Sequence, residues 1–478
     1  MQLGMTNKKQ RVMEYYNSVA EKRDYYINKN KYYYDDLTGF LKFTIPAGKR
    51  VLEIGSGTGH VLAALEPSYG VGIDFSPKMV QIAKLKYPSL RFFKIDAEDL
   101  DLDDQPFDYI VISDTIGLFE DIQQVFKHMK HLANEHTRVV ITYNCSLWHP
   151  ILSIAETLRL KMPRQQLNWL DAEDVSQLLY LEDFEVVKTG RRFLFPKNIS
   201  FISPFINEFI AHLPFFNSLC LTGYIIAKKA HRADDTKPEP TVSVVIPARN
   251  ERGNIENAVK RTPKLGRHTE IIFVEGHSTD GTLDEIRRVC TLYGDKCDIK
   301  YAVQDGKGKG DAVRKGFAMA TCDILMILDA DLTVPPEELP KFYEAVATGK
   351  GEFINGTRLV YPLEKESMRF LNMLGNKFFS IMFTWILGQR LKDTLCGTKV
   401  LSRENYLSIQ ANRHFFGDFD PFGDYDLIFG SAKLNLKIIE IPITYRAREY
   451  GQTNISRFSH GWLLLKMTMF AVNKLKFK

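Results

Sequence analysis

Two carboxylates, Asp329 and Asp331, flank one alanine where the apolar run "DILMILDAD" ends. Like charges this close repel unless a cation lies between them. Two acids on a strand-ending loop suit a hard divalent ion with oxygen ligands, Mg2+ or Mn2+. A metal held there can bridge a diphosphate and neutralise a departing nucleoside diphosphate. A solvated acidic turn is the simpler alternative, and the neighbouring motifs decide between the two. "VSVVIPARNERGNI" closes a strand at Pro247 and continues with Arg249, Asn250 and Glu251. "IIFVEGHSTDGT" closes another at Glu275, with Asp280 beyond it. "DGKGKGDAVRKG" sets Lys307, Lys309 and Arg314 among glycines. These are groups for a base, a ribose and phosphates, expected at successive strand ends of one sheet.

A different loop stands near the N-terminus. In "VLEIGSGTGHVLAAL" a strand ends at Glu53, Gly55, Gly57 and Gly59 follow, and a helix begins. Glycine accepts positive φ and lets a ligand lie against bare backbone. Open α/β sheets bind ligands beyond the carboxyl ends of their strands. The spacing is GxGxG, not the GxGxxG of dinucleotide loops. Asp74 in "GVGIDFSP" could accept both hydroxyls of a ribose, and Asp96 in "KIDAEDL" could accept from an adenine amino group. Glu53 suits a cationic cofactor better than a pyrophosphate, which prefers basic residues and free amides. A tight turn with surface acids would explain the loop alone, but three stations in order favour a cofactor.

The elements that position these residues fall into two sets. A chain of 478 residues exceeds one core, so two domains are expected. The runs "RVLEIG", "YGVGID", "LRFFKID", "FDYIVIS" and "RVVITYN" alternate with helical stretches, and "HLPFFNSLCLTGYIIAKKA" returns as the last strands. "VSVVIP", "EIIFVEG", "IKYAVQ", "DILMILDAD" and "FINGTRLV" repeat the alternation. Such alternation predicts parallel sheets with crossover helices. The polar stretch around 231–240 separates domains at 1–230 and 241–478. Motif content differs between the halves, which excludes a simple duplication.

Net charge is +5, no signature of nucleic-acid binding. The six cysteines form no CxxC pair, so a disulfide framework or zinc site is not expected. The start "MQLGMTNKKQ" lacks a signal-peptide core, and no run of 18 apolar residues occurs. A cytoplasmic protein is expected.

The motifs "EIGSGTG", "GIDFSP" and "DAEDL" before "FDYIVISD" resemble class I S-adenosylmethionine-dependent methyltransferases over residues 30–230. The resemblance implies a Rossmann-like domain that binds S-adenosylmethionine through Glu53, Gly55, Gly57, Gly59, Asp74, Asp96 and Ala97. Methyl transfer from a sulfonium needs mainly in-line positioning. An acceptor hydroxyl would also need a base, for which Asp114, Tyr143 and His149 stand after strands, each equally readable as a loop residue. The tyrosine-rich "YYNSVAEKRDYYINKNKYYY" reads as a helical lid, or as an edge for an aromatic acceptor.

Residues 240–460 resemble glycosyltransferase family 2, with a GT-A fold, nearest to polyprenyl- or dolichyl-phosphate sugar transferases. The resemblance rests on "PARNERGNI", "ILDADLTVPPEELP", "FINGTRLV", "DTLCGTKVLSR" and "GDYDLIFGSAKLNLKIIEIPITYRAREYGQTNI". It implies a nucleotide-sugar donor held by Pro247, Arg249, Asn250, Glu251, Glu275, Asp280, Lys309 and Asp329. Metal ligation falls to Asp329 and Asp331, and catalysis to these two with Arg358, Asp426 and Arg448. Four positions depart from the family pattern: Glu275 and Gly276 replace two aspartates, Arg249 a tyrosine, and Asn454 a lysine. A polyprenyl phosphate acceptor needs an apolar groove. "FLNMLGNKFFSIMFTWILG" and "HGWLLLKMTMFAVNKLKFK" suit in-plane helices on a bilayer, or helices packed on the domain itself or on a second copy. The expected protein is therefore bifunctional and peripheral at the cytosolic face of a membrane. A soluble or polysaccharide acceptor, with a non-catalytic N-terminal half, is the alternative.

Overall fold

The computed structural model describes residues 7–163, 168, 170–231, 238–358, 370–415, 425–446, 448, 450 and 457–477. The chain divides into two compact units, the first running to Ala230 and the second spanning His231–Lys476. Linker residues 232–237 and Asn454 lie outside the described residues.

The first unit opens with helices Asn7–Val19, Arg23–Lys29 and Lys31–Thr44. Seven strands follow: β1 (Arg50–Ile54), β2 (Tyr69–Asp74), β3 (Arg91–Lys94), β4 (Tyr109–Ser113), β5 (Arg138–Asn144), β6 (Phe184–Arg192) and β7 (Thr222–Lys229). Their order in the sheet is β3-β2-β1-β4-β5-β7-β6. The first five run parallel, and β7 pairs antiparallel with both β5 and β6. The two-residue period of a strand divides the core. Leu52, Ile54, Ile110 and Ile112 pack on one face, and Val51, Val111 and Val140 on the other. Burial on both faces is what made these strands continuous apolar runs.

The second unit contains β8 (Val242–Ala248), β9 (Thr269–Glu275), β10 (Asp298–Val303), β11 (Ile324–Ile327), β12 (Phe353–Thr357), β13 (Lys399–Ser402) and β14 (Ile438–Pro442). Their order is β10-β9-β8-β11-β13-β12-β14. β13 runs antiparallel between β11 and β12, whereas the alternation had suggested an all-parallel sheet. β11 is also shorter than the apolar run that contains it: it stops at Ile327, so Asp329 and Asp331 stand on the loop beyond. Val244, Ile246, Phe273 and Met326 fill the core against the helices below the sheet.

Candidate functional sites

In the first unit a cavity of about 430 Å3 opens over the carboxyl ends of the strands. Gly55, Gly57, Asp74, Asp96 and Ala97 all line it, so the loops after β1, β2 and β3 meet at one hollow. Gly55 takes φ +78°, and a Cβ there would press within 2.4 Å of the Thr115 side chain. The Gly57 amide donates to Asp74 Oδ2 at 2.9 Å, and the Ser76 amide to Oδ1 at 2.9 Å. These bonds fix the Asp74 carboxylate at the rim of the glycine loop. Burial raises its pKa, while the two amides pull the other way.

Two predicted residues sit differently. Gly59 is absent from the cavity lining; its Cα rests against the Phe92 ring, where a Cβ would come within 2.6 Å. Glu53 lies behind the loop, buried, and accepts from the Leu62 amide at 3.0 Å. It supports the start of helix His60–Ala64 and does not face the main cavity. Burial, reinforced by Asp74, pushes its pKa up to about 8.

The tyrosine-rich segment closes the cavity from above. Lys9, Val12, Tyr16, Arg23, Tyr33 and Tyr34 all contribute to its wall. Asn17 Oδ1 accepts from Ser76 Oγ at 2.7 Å, and Asp24 Oδ1 from Thr58 Oγ1 at 2.9 Å, which ties the lid to the loops after β1 and β2. Lys9 pairs with Asp96, and with Glu98 at 3.0 Å. Lys9 and Arg23 escaped sequence reasoning because they lie on helices that carry no motif. Of the three proposed bases, only Asp114 lines the cavity. Its Oδ2 accepts from Tyr33 at 2.5 Å and its Oδ1 from Thr142 Oγ1 at 3.1 Å, on a backbone at φ +53°. Tyr143 is core, packed on Gly223.

In the second unit the loops after β8, β9 and β11 join the segment beyond β14 in one polar network. Arg448 is its bridge: Nη2 donates to Asp331 Oδ2 at 2.6 Å and Nη1 to Glu251 Oε1 at 3.1 Å. Glu251 also accepts from Asn254 at 2.8 Å, and its amide donates to Thr282 Oγ1 at 3.0 Å. Thr282 Oγ1 donates in turn to Asp280 Oδ1 at 2.5 Å. Burial opposes ionisation of Asp280, but the bonds from Thr282 and from backbone amides outweigh it and hold its pKa low. Asp331 Oδ1 accepts from the Thr333 amide and hydroxyl at 3.1 and 2.9 Å.

Lys309, the first residue of helix Lys309–Met319, reaches Asp329 Oδ1 at 2.7 Å. Burial would raise the Asp329 pKa, yet the Lys309 ammonium keeps it below the usual carboxylate range. Each acid of the doublet thus meets a cation, Lys309 at Asp329 and Arg448, shared with Glu251, at Asp331. Gly397 completes this corner. A Cβ there would fall 1.8 Å from Asp329 Oδ2 and 2.6 Å from Lys309 Nζ, so only glycine lets that backbone lie against the pair. Among the described residues no three metal-binding side chains cluster. Two carboxylates still offer hard oxygen donors that a diphosphate would complement.

Other predicted residues are engaged differently. Glu275 turns back on its own loop, accepting from the amides of His277 at 3.1 Å and Ser278 at 2.6 Å. Asn250 Oδ1 accepts from the Thr279 amide at 2.9 Å and joins the loops after β8 and β9. Pro247 lies within β8, and Arg249 beyond it is exposed. Arg358 grips the buried Asp393 through Nε at 2.7 Å and Nη2 at 2.8 Å, so two of its donors are already used. Asp426 sits between Arg413 at 3.2 Å and Arg314 at 3.7 Å.

Residues 26–189 match the family described as Methyltransferase domain, and residues 243–406 match Glycosyl transferase family 2. The first unit therefore carries the methyltransferase match and the second the glycosyltransferase family 2 match, each on a seven-stranded α/β sheet. A dolichol-phosphate mannosyltransferase of Pyrococcus furiosus is 31% identical over 221 residues, 45% of this chain and 59% of that protein. A low-salt glycan biosynthesis hexosyltransferase of Haloferax volcanii is 29% identical over 48% of this chain and 53% of that protein. The chain thus spans a little over half the length of these two relatives. Among solved structures, a Thermotoga maritima S-adenosylmethionine-dependent methyltransferase aligns with 46% of this chain and 99% of its own, at 16% identity and TM-score 0.37. The Mycobacterium tuberculosis glucosyl-3-phosphoglycerate synthase with bound uridine diphosphate aligns with 49% of this chain and 80% of its own, at 20% identity and TM-score 0.37.

Two outcomes follow from these geometries. Glu53 keeps its proton to about pH 8 in the folded unit, whereas free glutamate ionises near pH 4.3. A carboxyl raised in this way adds stability that is whole below the unfolded value and is lost as pH climbs to the folded one. Relative to Glu53→Gln, the wild type should lose on the order of 3 kcal/mol between about pH 4.5 and 7, read by urea unfolding across pH. Gly397→Ala should drive Asp329 from Lys309 and abolish glycosyl transfer, while circular dichroism shows an intact fold.

Proposed function

We propose that the second unit transfers a sugar from a nucleotide-sugar donor to a polyprenyl phosphate, and that the first methylates an acceptor of the same pathway from S-adenosylmethionine. The observation that carries the first half is the Arg448 network, which draws Asp331, Glu251 and Asp280 from separate strand-end loops to one place. The names of the relatives, a dolichol-phosphate mannosyltransferase and an undecaprenyl-phosphate 4-deoxy-4-formamido-L-arabinose transferase of Klebsiella pneumoniae, support a lipid phosphate acceptor.

In this reading Asn250, Glu251 and Asp280 hold the nucleoside end, with Pro247, Arg249 and Glu275 shaping the loops around it. Asp329 and Asp331 would hold Mg2+ or Mn2+, which neutralises diphosphate charge when bound. Lys309 supplies a cation beside the same oxygens. The acceptor phosphate is already an anion and needs orientation more than deprotonation. Arg358, anchored on Asp393, and Arg448 provide it. Asp426 stands as a base for a hydroxyl acceptor. A single displacement at the anomeric carbon inverts it.

Helices Phe370–Leu387 and Arg457–Leu475 support a peripheral seat on a membrane. Phe383, Ile386, Leu464 and Met467 are buried, while Phe378, Ile381, Trp462 and Met469 are exposed. Among the described residues no helix is long and apolar enough to cross a bilayer. In the first unit, the lid-closed cavity over Gly55, Gly57 and Asp74 supports S-adenosylmethionine, with Arg23 near the glycine loop as a partner for its carboxylate.

A radiolabelled UDP- and GDP-hexose panel with polyprenyl phosphate, Mn2+ and the full chain tests this function. Label should enter the organic phase, and Asp329→Ala with Asp331→Ala should remove it while calorimetric binding of S-adenosylmethionine persists. Label confined to water-soluble product would sink the lipid acceptor, and a folded chain that binds no S-adenosylmethionine would sink the methyltransferase.

A further inference from the structure

We propose that the rim of the first unit's cavity is a docking surface for an anionic lipid bilayer, from which the methyl acceptor is drawn. The inference rests on the methyltransferase reading and adds the place where the acceptor is met.

Helix His149–Thr157 buries none of its residues. Leu147, Ile151, Ile154 and Leu158 follow a spacing of four, three and four, which places them on one helical stripe. Ile154 and Leu158 are 62% and 63% exposed. Ile151, Ile154 and Leu158 also line the cavity, so the apolar stripe continues into its wall. Lys197 and Leu221 line the same cavity from the other side. Between them the chain displays Phe201, 88% exposed, and Phe215, 71% exposed, with Ile202 and Phe205 beside them.

This surface is built, not frayed. The Trp148 indole donates to Leu219 O at 2.8 Å, joining the stripe to the phenylalanine-rich segment. Asn217 Nδ2 donates to Arg191 O at 2.7 Å and Ala211 O at 3.0 Å. Asn207 Oδ1 accepts from the amides of Leu194 and Phe195 at 2.9 and 2.8 Å. Phe201 holds φ +64°, an unfavourable backbone for a bulky residue, and its ring gains almost no burial in return. Contiguous exposed apolar side chains of this kind mark an interaction surface.

Charge selects the occupant. In residues 146–162 and 194–221 the exposed charged groups are Arg159, Lys197 and Glu208, and exposed Lys29 donates to Arg159 O at 2.8 Å. Two cations against one acid in these segments, with Lys29 beside them, around apolar rings and a tryptophan, match anionic headgroups above acyl chains. A two-fold contact with a second copy would set like-charged rims together.

The test uses the full chain with Trp169, Trp385 and Trp462 changed to Phe, which leaves Trp148 as the reporter. Vesicles of phosphatidylcholine and phosphatidylglycerol carry brominated acyl chains. The expected result is loss of Trp148 emission in brominated vesicles only, weaker with phosphatidylcholine alone. Phe201→Asp with Phe215→Asp should weaken vesicle binding roughly tenfold or more, with S-adenosylmethionine affinity unchanged. Unquenched Trp148 in a chain that still binds S-adenosylmethionine overturns the inference, even where the chain sediments with vesicles, because the other unit then makes the contact. A dimer that the double variant splits, with Trp148 unquenched, overturns it in favour of a second copy. Failure of S-adenosylmethionine to bind strikes the methyltransferase reading instead.

Discussion

A carboxylate taken out of water must be met by a cation or by hydrogen-bond donors. Both sites obey that constraint at the carboxyl ends of their strands, and their geometry follows from how each acid is met. Asp331 meets Arg448, and because the same guanidinium also holds Glu251, two loops remote in sequence are locked together. Asp329 meets Lys309 from the first turn of a helix. Asp393 meets Arg358 through two parallel bonds. Such paired geometry fixes direction as well as distance.

The first unit solves the same problem without a strong ion pair at its centre. Asp74 is held by two backbone amides, one of them from the glycine loop itself. Glu53, deeper and with a single amide partner, is met by protonation. A neutral Glu53 and an amide-held Asp74 leave the loop free of basic side chains from the sheet. Cations line the hollow from the lid, as Lys9 and Arg23, and from outside it, as Lys161 and Lys197.

The sequence made the buried strands legible because burial on both faces writes a continuous apolar run, as in β1, β4, β5, β8 and β9. β6 was not legible: it lies at the sheet edge, and Glu185, Lys188 and Arg191 interrupt its pattern. The antiparallel insertion of β13 was equally hidden, since a four-residue strand carries no mark of direction. Acids and glycines at strand ends could be read as a set because chemistry and position coincide there. Their partners could not. Nothing local tells Arg358 to choose Asp393, or Lys9 to choose Asp96, because these pairs form only when distant segments fold together. Gly397 stood in a quoted motif, but its reason, contact with Asp329, is visible only in three dimensions.

The proposed metal would join a second site in which each acid is already met. Asp329 meets Lys309, with Lys399 and Arg358 also lowering its pKa; Asp331 and Glu251 share Arg448, and Asp280 is held by Thr282 and backbone amides. Burial raises the Glu251 pKa, while Asn254 and Arg448 pull it the other way. A nucleotide diphosphate adds further negative charge beside Asp329 and Asp331. In the proposed reading a divalent ion shared with the two carboxylates would offset that charge.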